Sequence, residues 1–354
     1  MKIERNIEVP TGNILVVLGE KGKLEMLSLG DYGKDINVKC SAMGLSRTPK
    51  KVIHTQMLPL EQKWVITIST QYSCLMNCRF CDVPLVPVHK SSNRKGHYSI
   101  NATEGDLVKQ VLTGIKLHPE VKTTKRLNIH YARMGEPTWN PNVLDATKWL
   151  KTHIDPEYKI HPVVSTMMPK RNEWLKTFIH TWMRMKNKLL QGEAGLQLSI
   201  NSTNEKERNW MFNNNTHSLK NIAKIMEGII PNGRKITLNF AIAEYEINPD
   251  VLLEYFDPNN YIIKLTPMHK TIKCGENFIK TKGDYTQFYP YEQHEYQLKK
   301  AGYDVLVFIA SEYEDLGRIT CGNAILSGSM PECPHKEITS NKELEQMCAP
   351  DVDR

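Results

Sequence analysis

Trp64-Val-Ile-Thr-Ile-Ser-Thr-Gln-Tyr-Ser-Cys74-Leu-Met-Asn-Cys78-Arg-Phe-Cys81 is the stretch that decides how the chain is read. The apolar run from Trp64 to Ile68 has the length and β-branched content of a buried strand. It leads into a loop where three cysteines stand four and then three residues apart. A strand that delivers its end into a tight group of thiols is built to hold something soft and thiophilic. Three thiolates with no fourth in the loop suit a [4Fe-4S] cluster that leaves one iron open, because such clusters usually take four cysteines. The competing reading is structural zinc, which wants four protein ligands and would need a remote Cys or His to complete it.

From Trp64 onward the chain alternates strand and helix signals. Further strands are expected near 127–131, 160–165, 195–200, 235–241, 261–265 and 304–309. Helices are expected near 142–151, 173–187, 205–211, 218–228, 250–256 and 292–300, the last closed by Gly302. Thr103-Glu-Gly-Asp106 has capping-box spacing ahead of Leu107, Val108, Val111, Leu112 and Ile115, an apolar stripe at helical period. Such alternation implies parallel pairing through right-handed crossovers. Six or seven strands predict an α/β fold, a partial (β/α)6 TIM-like barrel over residues 64–325. In parallel barrels the chemistry gathers at the C-terminal strand ends, which is where the cysteine loop falls. Residues 1–63 read as a small β-rich extension, with a hairpin turning at Gly19-Glu-Lys-Gly22. Residues 326–354 form a C-terminal tail.

Composition sets the bounds. The 354 residues are 40% apolar and 24% charged, an ordinary globular balance. No run approaches the ~18 apolar residues of a membrane span, and Met1-Lys-Ile-Glu-Arg-Asn-Ile7 lacks the apolar core of a secretory signal. The expectation is a cytoplasmic protein without membrane contact. Three of the eight cysteines crowd into the one loop, which argues against a disulfide framework. A net charge of +7 permits an anionic partner without establishing one. The basic stretch from Arg47 to Lys51 reads as a solvated loop, as does the polar segment 88–96.

A second motif follows the next strand. Met134-Gly135-Glu136-Pro137 offers a carboxylate and a glycine that lets backbone approach closely. The plain alternative is Gly-Pro turn punctuation carrying a surface Glu.

The loop Cys74/Cys78/Cys81, with aromatic Phe80 before its last cysteine, resembles the signature of the radical S-adenosylmethionine (SAM) superfamily. That resemblance implies that SAM chelates the open iron and is cleaved by one electron to a 5′-deoxyadenosyl radical, and that Gly135, Glu136 and Pro137 contact the SAM ammonium. The likeness narrows further. Met134-Gly-Glu-Pro-Thr-Trp-Asn140, Val164-Ser-Thr166, Leu198-Ser-Ile-Asn-Ser-Thr-Asn-Glu-Lys-Glu-Arg208, Ile263-Lys-Leu-Thr-Pro267 and Gly317-Arg-Ile-Thr-Cys-Gly-Asn323 follow one another as in the RlmN/Cfr adenosine methyltransferases. By this resemblance Ser165, Ser199 and Asn201 help seat SAM. His269 stands where that family usually has Asn. Cys321 matches the cysteine that is methylated by one SAM and becomes the methylene donor. Plainer roles stand beside these: the two serines can bond neighbouring backbone, His269 can be a satisfied loop histidine, and a lone cysteine is often a small buried hydrophobe.

The sequence departs from that family twice. The family's second catalytic cysteine, which resolves the enzyme–substrate adduct as a disulfide, is replaced here by Thr67, and a hydroxyl cannot form that bond. Cys274 is the first substitute thiol to consider; Cys333 and Cys348 in the tail are weaker. The strand-rich N-terminal region also does not read as the family's helical RNA-engaging domain, which weakens the case for ribosomal RNA. The favoured function is therefore methyl transfer to an unactivated carbon, with an adenine-type base in RNA or a nucleotide as acceptor. The alternative is a non-methylating radical SAM enzyme that abstracts hydrogen from a small molecule or peptide. A zinc-bound adaptor is the non-catalytic reading. A low-potential flavodoxin or ferredoxin is the electron donor that the resemblance implies.

Overall fold

A computed structural model describes residues 1–33, 38–43, 57–87, 100–280, 291–338 and 344. The expected loops at 47–51 and 88–96, and Cys348, lie outside the described residues.

The amino-terminal strands β1 (Lys2–Val9), β2 (Gly12–Gly19) and β3 (Gly22–Leu29) form an antiparallel meander, and β4 (Val38–Lys39) is a short separate strand. Seven parallel strands follow: β5 (Trp64–Ile68), β6 (Thr124–Tyr131), β7 (Tyr158–Thr166), β8 (Gly195–Ser199), β9 (Ile236–Ile242), β10 (Tyr261–Pro267) and β11 (Asp304–Phe308). With β12 (Lys336–Ile338) they make one sheet in the order β12-β1-β2-β3-β5-β6-β7-β8-β9-β10-β11-β4. The parallel middle is the partial barrel that the alternation predicted. The meander is welded to it, because β3 pairs antiparallel with β5 through Leu27–Thr67, Ser28–Ile66 and Leu29–Val65.

The helices are α1 (Glu104–Lys116), α2 (Asn142–His153), α3 (Leu175–Lys188), α4 (Glu205–Met211), α5 (Leu219–Met226), α6 (Pro249–Leu253), α7 (Ile272–Glu276), α8 (Tyr291–Lys300) and α9 (Glu312–Leu316). The capping box at Thr103 and Asp106 closes in both directions, satisfying two of the orphan N–H groups at the start of α1. Asp106 does more. Its carboxylate accepts from Tyr72 Oη at 2.7 Å and from the Glu20 N–H at 3.1 Å, and Tyr72 Oη accepts from the Lys21 N–H at 3.1 Å. The hairpin turn is thereby pinned to the barrel. A Cβ at Gly19 would stand 2.4 Å from Tyr72 Oη, so this approach requires glycine.

Strand alternation divides the barrel into two faces. Trp64, Ile66, Ile129, Tyr131, Leu196, Leu198, Phe240 and Leu265 belong to the main core, whose other side is built by helix residues such as Phe178 and Trp182. The opposite face of the same strands carries Thr67, His130, Ser165, Ser199, Asn239 and Lys264, mostly half-buried. Sheet interior of this polarity is the lining of a site and not packed core.

Five elements escaped the sequence reading, β4 among them. β1 alternates charge with apolar residues, a pattern that its one exposed and one buried face explain. β12 owes its existence to pairing with β1, through Asn6–Ile338 to Glu8–Lys336. The turns α7 and α9 are five residues each, too short to show periodicity. The helix expected at 250–256 is reduced to α6. Among the described residues no helix is long and apolar enough to cross a membrane.

Candidate functional site

A second apolar cluster caps the C-terminal ends of the parallel strands. It joins Cys74, Met76 and Cys78 to Met134 after β6, Phe212 after α4, Ala243 after β9, Met268 after β10 and Ala324, with Phe80 and Cys81 against its edge. The cysteine loop is therefore embedded in the mouth of the barrel. Its backbone is held at each point. The N–H groups of Thr70 and Gln71 donate to the Met134 carbonyl at 2.8 and 3.2 Å, and the Arg79 N–H donates to the Met211 carbonyl at 2.8 Å. Asn77 adopts φ 50°, left-handed backbone that Asn tolerates better than most residues. Phe80 packs edge-on against Phe212 at 5.5 Å between centroids.

Burial pushes all three thiols upward, Cys74 to about 12; charge on Cys81 and Cys74 raises Cys78 further, and charge on Cys74 raises Cys81. The three sulfurs thus share one low-dielectric pocket, where bare thiolates are disfavoured. A cationic iron–sulfur centre would supply the missing counter-charge, and soft thiols in an apolar cradle suit it. Among the described residues, no three His, Cys, Asp or Glu side chains converge closely enough to hold a single metal ion. A cuboidal cluster does not require that convergence, since each cysteine binds a different iron.

Gly135 has φ +96°, and a Cβ there would sit 2.5 Å from Gln71 Cβ. Only glycine lets the 134–137 segment lie against the cysteine strand. Glu136 is fully buried, and its carboxylate is engaged by the protein. Oε1 accepts from the Thr138 N–H at 3.0 Å and Thr138 Oγ1 at 2.7 Å; Oε2 accepts from the Met167 N–H at 2.9 Å. Burial raises its pKa, while these bonds and one from Thr166 oppose the rise. Glu136 thereby ties the end of β6 to the end of β7, and Cys74 and Cys78 both feel its charge. Pro137 is buried and opens a short 3-10 turn.

Ser165 and Ser199 are half-buried on the inner face, at the ends of β7 and β8. Asn201 is buried in left-handed backbone at φ 61°, and its Oδ1 accepts from the Ala241 N–H at 3.1 Å. It links two strand ends. His269 Nδ1 is buried and lies 2.8 Å from Asp315 Oδ1, within ion-pair distance but not aligned for a hydrogen bond.

The 317–326 loop brings Cys321 into the same mouth. The Asp82 N–H donates to the Gly322 carbonyl at 2.7 Å, directly after Cys81. All three loop thiols are raised by charge on Cys321. Its own thiol is open to solvent, yet burial raises its pKa against the pull of Lys264 and Arg133. With Lys264 of the inner face and the three loop thiols around it, Cys321 borders the hollow of the barrel. Cys274 joins the same apolar cluster from α7: it is buried, its Sγ faces the Phe80 carbonyl at 3.7 Å, and its charged neighbours are Asp82 and Asp315, not those of Cys321. Cys333 packs into a third apolar cluster with Ile7, Ile14 and Leu29.

Sequence reasoning missed the groups that hold the Cys321 loop. Arg133 and Glu25 form an ion pair with side chains 2% and 0% exposed. Arg133 Nε donates to Glu25 Oε1 at 2.8 Å, and Nη2 donates to the Arg318 carbonyl at 2.8 Å. Glu25 Oε2 accepts from the Leu326 N–H at 3.1 Å. Asp315 Oδ1 accepts from Thr320 Oγ1 at 2.8 Å. Asp82 accepts from the N–H groups of Ile272 and Lys273 at 3.0 and 2.9 Å, which caps α7. The available signal was a charged residue inside the apolar run Leu24-Glu-Met-Leu27.

No family model matches the chain. It is 26% identical over 230 residues to a dual-specificity RNA methyltransferase RlmN from Campylobacter lari, covering 65% of this chain and 55% of that one. It is 30% identical over 104 residues to the RlmN of Aliarcobacter butzleri, covering 29% of this chain and 26% of the relative. The chain thus spans about half the length of the first of these relatives, and less of the second. In three dimensions it is similar to a radical SAM methyltransferase from Sphaerobacter thermophilus, with a TM-score of 0.58 at 16% identity over 88% of this chain and 77% of that one. The sequence likeness is to RlmN, and the fold is shared with a radical SAM methyltransferase.

Proposed function

We propose that this chain is a radical SAM methyltransferase of RlmN/Cfr type, with Cys74, Cys78 and Cys81 holding a [4Fe-4S] cluster and Cys321 carrying the methyl group to be transferred. The observation that carries the reading is the meeting of four thiols in the mouth of a parallel barrel, three on the loop after β5 and one on the 317–326 loop. When bound, the cluster and SAM supply a single electron and an activated methyl group. The protein's part is to bind, orient and exclude water. Gly135 allows the close approach of two strand ends, Glu136 locks them, and Ser165, Ser199 and Asn201 present polar groups where SAM is to lie. The apolar lining around Met76, Phe80, Met134 and Phe212 shields the reactive centre. Lys264 and Arg133 favour a Cys321 thiolate, the form that accepts a methyl group. A flavodoxin or ferredoxin supplies the electron, and the acceptor is an unactivated carbon, an adenine-type base or nucleotide in the simplest case.

Thr67 favours a second reading. It lies on the inner face of β5, where the RlmN/Cfr pattern has its resolving cysteine, and Cys274 does not share the hollow's charged neighbours. An enzyme without a resolving thiol is suited to hydrogen abstraction from a small molecule or peptide. Anaerobic reconstitution with iron and sulfide, followed by reductant and methyl-labelled SAM, separates the two. Label on the Cys321 peptide, lost in C321A, supports methyl transfer. SAM cleavage with no labelled peptide favours the second reading. Failure to take up iron would sink both.

A further inference from the structure

Among the described residues, two neighbouring inner-face side chains across the middle of the barrel lack polar partners of their own: Asn239 and Lys264. Register sets Ser199 of β8 beside Asn239 of β9, and Asn239 beside Lys264 of β10. Their neighbours Leu198, Leu238, Phe240, Ile263 and Leu265 all belong to the core on the helix side, so alternation turns these three inward. Asn239 Oδ1 is buried with no hydrogen-bond donor. The Lys264 ammonium sits 5.0 Å above the Phe308 ring, and among the described residues no carboxylate lies within ion-pair distance of it. Burial disfavours its charged form, and the charge of Cys321 reaches it.

Lys264 is half-buried on the hollow, so a ring face as its protein partner leaves room for an anion at its ammonium. An orphaned amide oxygen beside it costs about 1–3 kcal/mol. Both are served by one ligand that brings an anion to Lys264 and an N–H or O–H to Asn239. The row is also set back from the mouth: Lys264 precedes the end of β10 by three residues, as Asn239 does that of β9. Ser199, assigned above to SAM, marks its outer edge.

Resting on the function proposed above, we infer that Asn239 and Lys264 bind the acceptor substrate, and that this substrate carries a carboxylate or phosphate next to a hydrogen-bond donor. A mononucleotide or a small hydroxy or amino acid has that chemistry. SAM's own methionyl group also presents a carboxylate beside an ammonium, so the test must separate the two sources.

The full chain, anaerobically reconstituted, is titrated with inorganic phosphate, with succinate and with SAM, by thermal shift and calorimetry, as wild type, K264M and N239A. K264M should fold and melt close to wild type without ligand, since the half-buried Lys264 makes no ion pair among the described residues. Phosphate or succinate should stabilise wild type saturably and bind K264M about tenfold or more weakly, the loss of one charge-assisted hydrogen bond. SAM affinity should stay within about twofold in every variant. Equal anion binding by wild type and K264M overturns the assignment. So does a parallel loss of SAM affinity, which would make SAM's carboxylate the anion. Absence of SAM binding in the wild type would instead defeat the methyltransferase reading, because the anion titrations do not depend on it.

Discussion

Replacing Glu25 by Ala tests whether the N-terminal meander holds the Cys321 loop in place. The change strips the Arg133 guanidinium of its only carboxylate partner among the described residues, leaving it the carbonyls of Arg318 and Thr320 at 2.8 and 3.5 Å. Breaking a buried pair from one side costs about 3–5 kcal/mol, and the Leu326 N–H left without its acceptor adds about 1–3 kcal/mol. The two share a site and do not simply add. Against a typical stability of about 5–15 kcal/mol, the cheaper response is local release of the 317–326 loop. Hydrogen exchange read by peptide mass spectrometry should then show 317–326 losing protection by about 10²-fold or more, each 1.4 kcal/mol being about tenfold. The facing segment at 78–83 should follow, because the Asp82 N–H bonds the Gly322 carbonyl. E25M/R133M supplies the control. An apolar pair of similar volume restores melting temperature, yet the loop, without its guanidinium anchor, should stay unprotected. If E25A lowers the melting temperature and leaves exchange at 317–326 unchanged, Glu25 merely stabilises the hairpin and the reasoning fails.

Three further outcomes are expected. G135A drives a methyl group to 2.5 Å from Gln71 Cβ; it should weaken SAM binding by equilibrium dialysis by about tenfold or more while lowering stability by about 1–3 kcal/mol, and unchanged binding would refute the close-approach argument. Burial lifts the Glu314 carboxyl from 4.5 to about 7; the folded state therefore holds that proton more tightly, and the stability it contributes below pH 4.5 is lost as pH rises to about 7. E314Q should flatten this part of the melting profile, and identical slopes would deny the shift. C274A should leave methyl labelling of Cys321 intact, since the two thiols face different neighbours; loss of labelling with the fold preserved would place Cys274 in the chemistry.

The parallel barrel was legible because its strands are buried apolar runs and its helices carry caps and periodicity, as Thr103 and Asp106 do for α1. The positions of the cysteine loop and the Gly135–Glu136 segment were legible because each follows an apolar strand run, and such loops gather at the C-terminal strand ends. Whether Glu136 meets a ligand or its own protein was not, since both roles need the same carboxylate; the bonds from Thr138 and Met167 arise only when two strand ends meet. Glu25 and Arg133 stand 108 residues apart, and nothing local to either announces the other. Lys264 read as one charge in the motif Ile263-Lys-Leu-Thr-Pro267. Its inward direction is a property of register.

The clamp on the Cys321 loop also fixes an order of events during vectorial synthesis. Glu25 emerges 108 residues before Arg133, and Arg318 follows 185 residues later still. At roughly 5–20 residues per second these gaps are on the order of ten seconds each. Until the last of the three appears, the cysteine loop has no lid from the 317–326 segment. The cysteine loop is thus made well before the segment that closes over it, and the finished chain shuts that face with a part synthesised late.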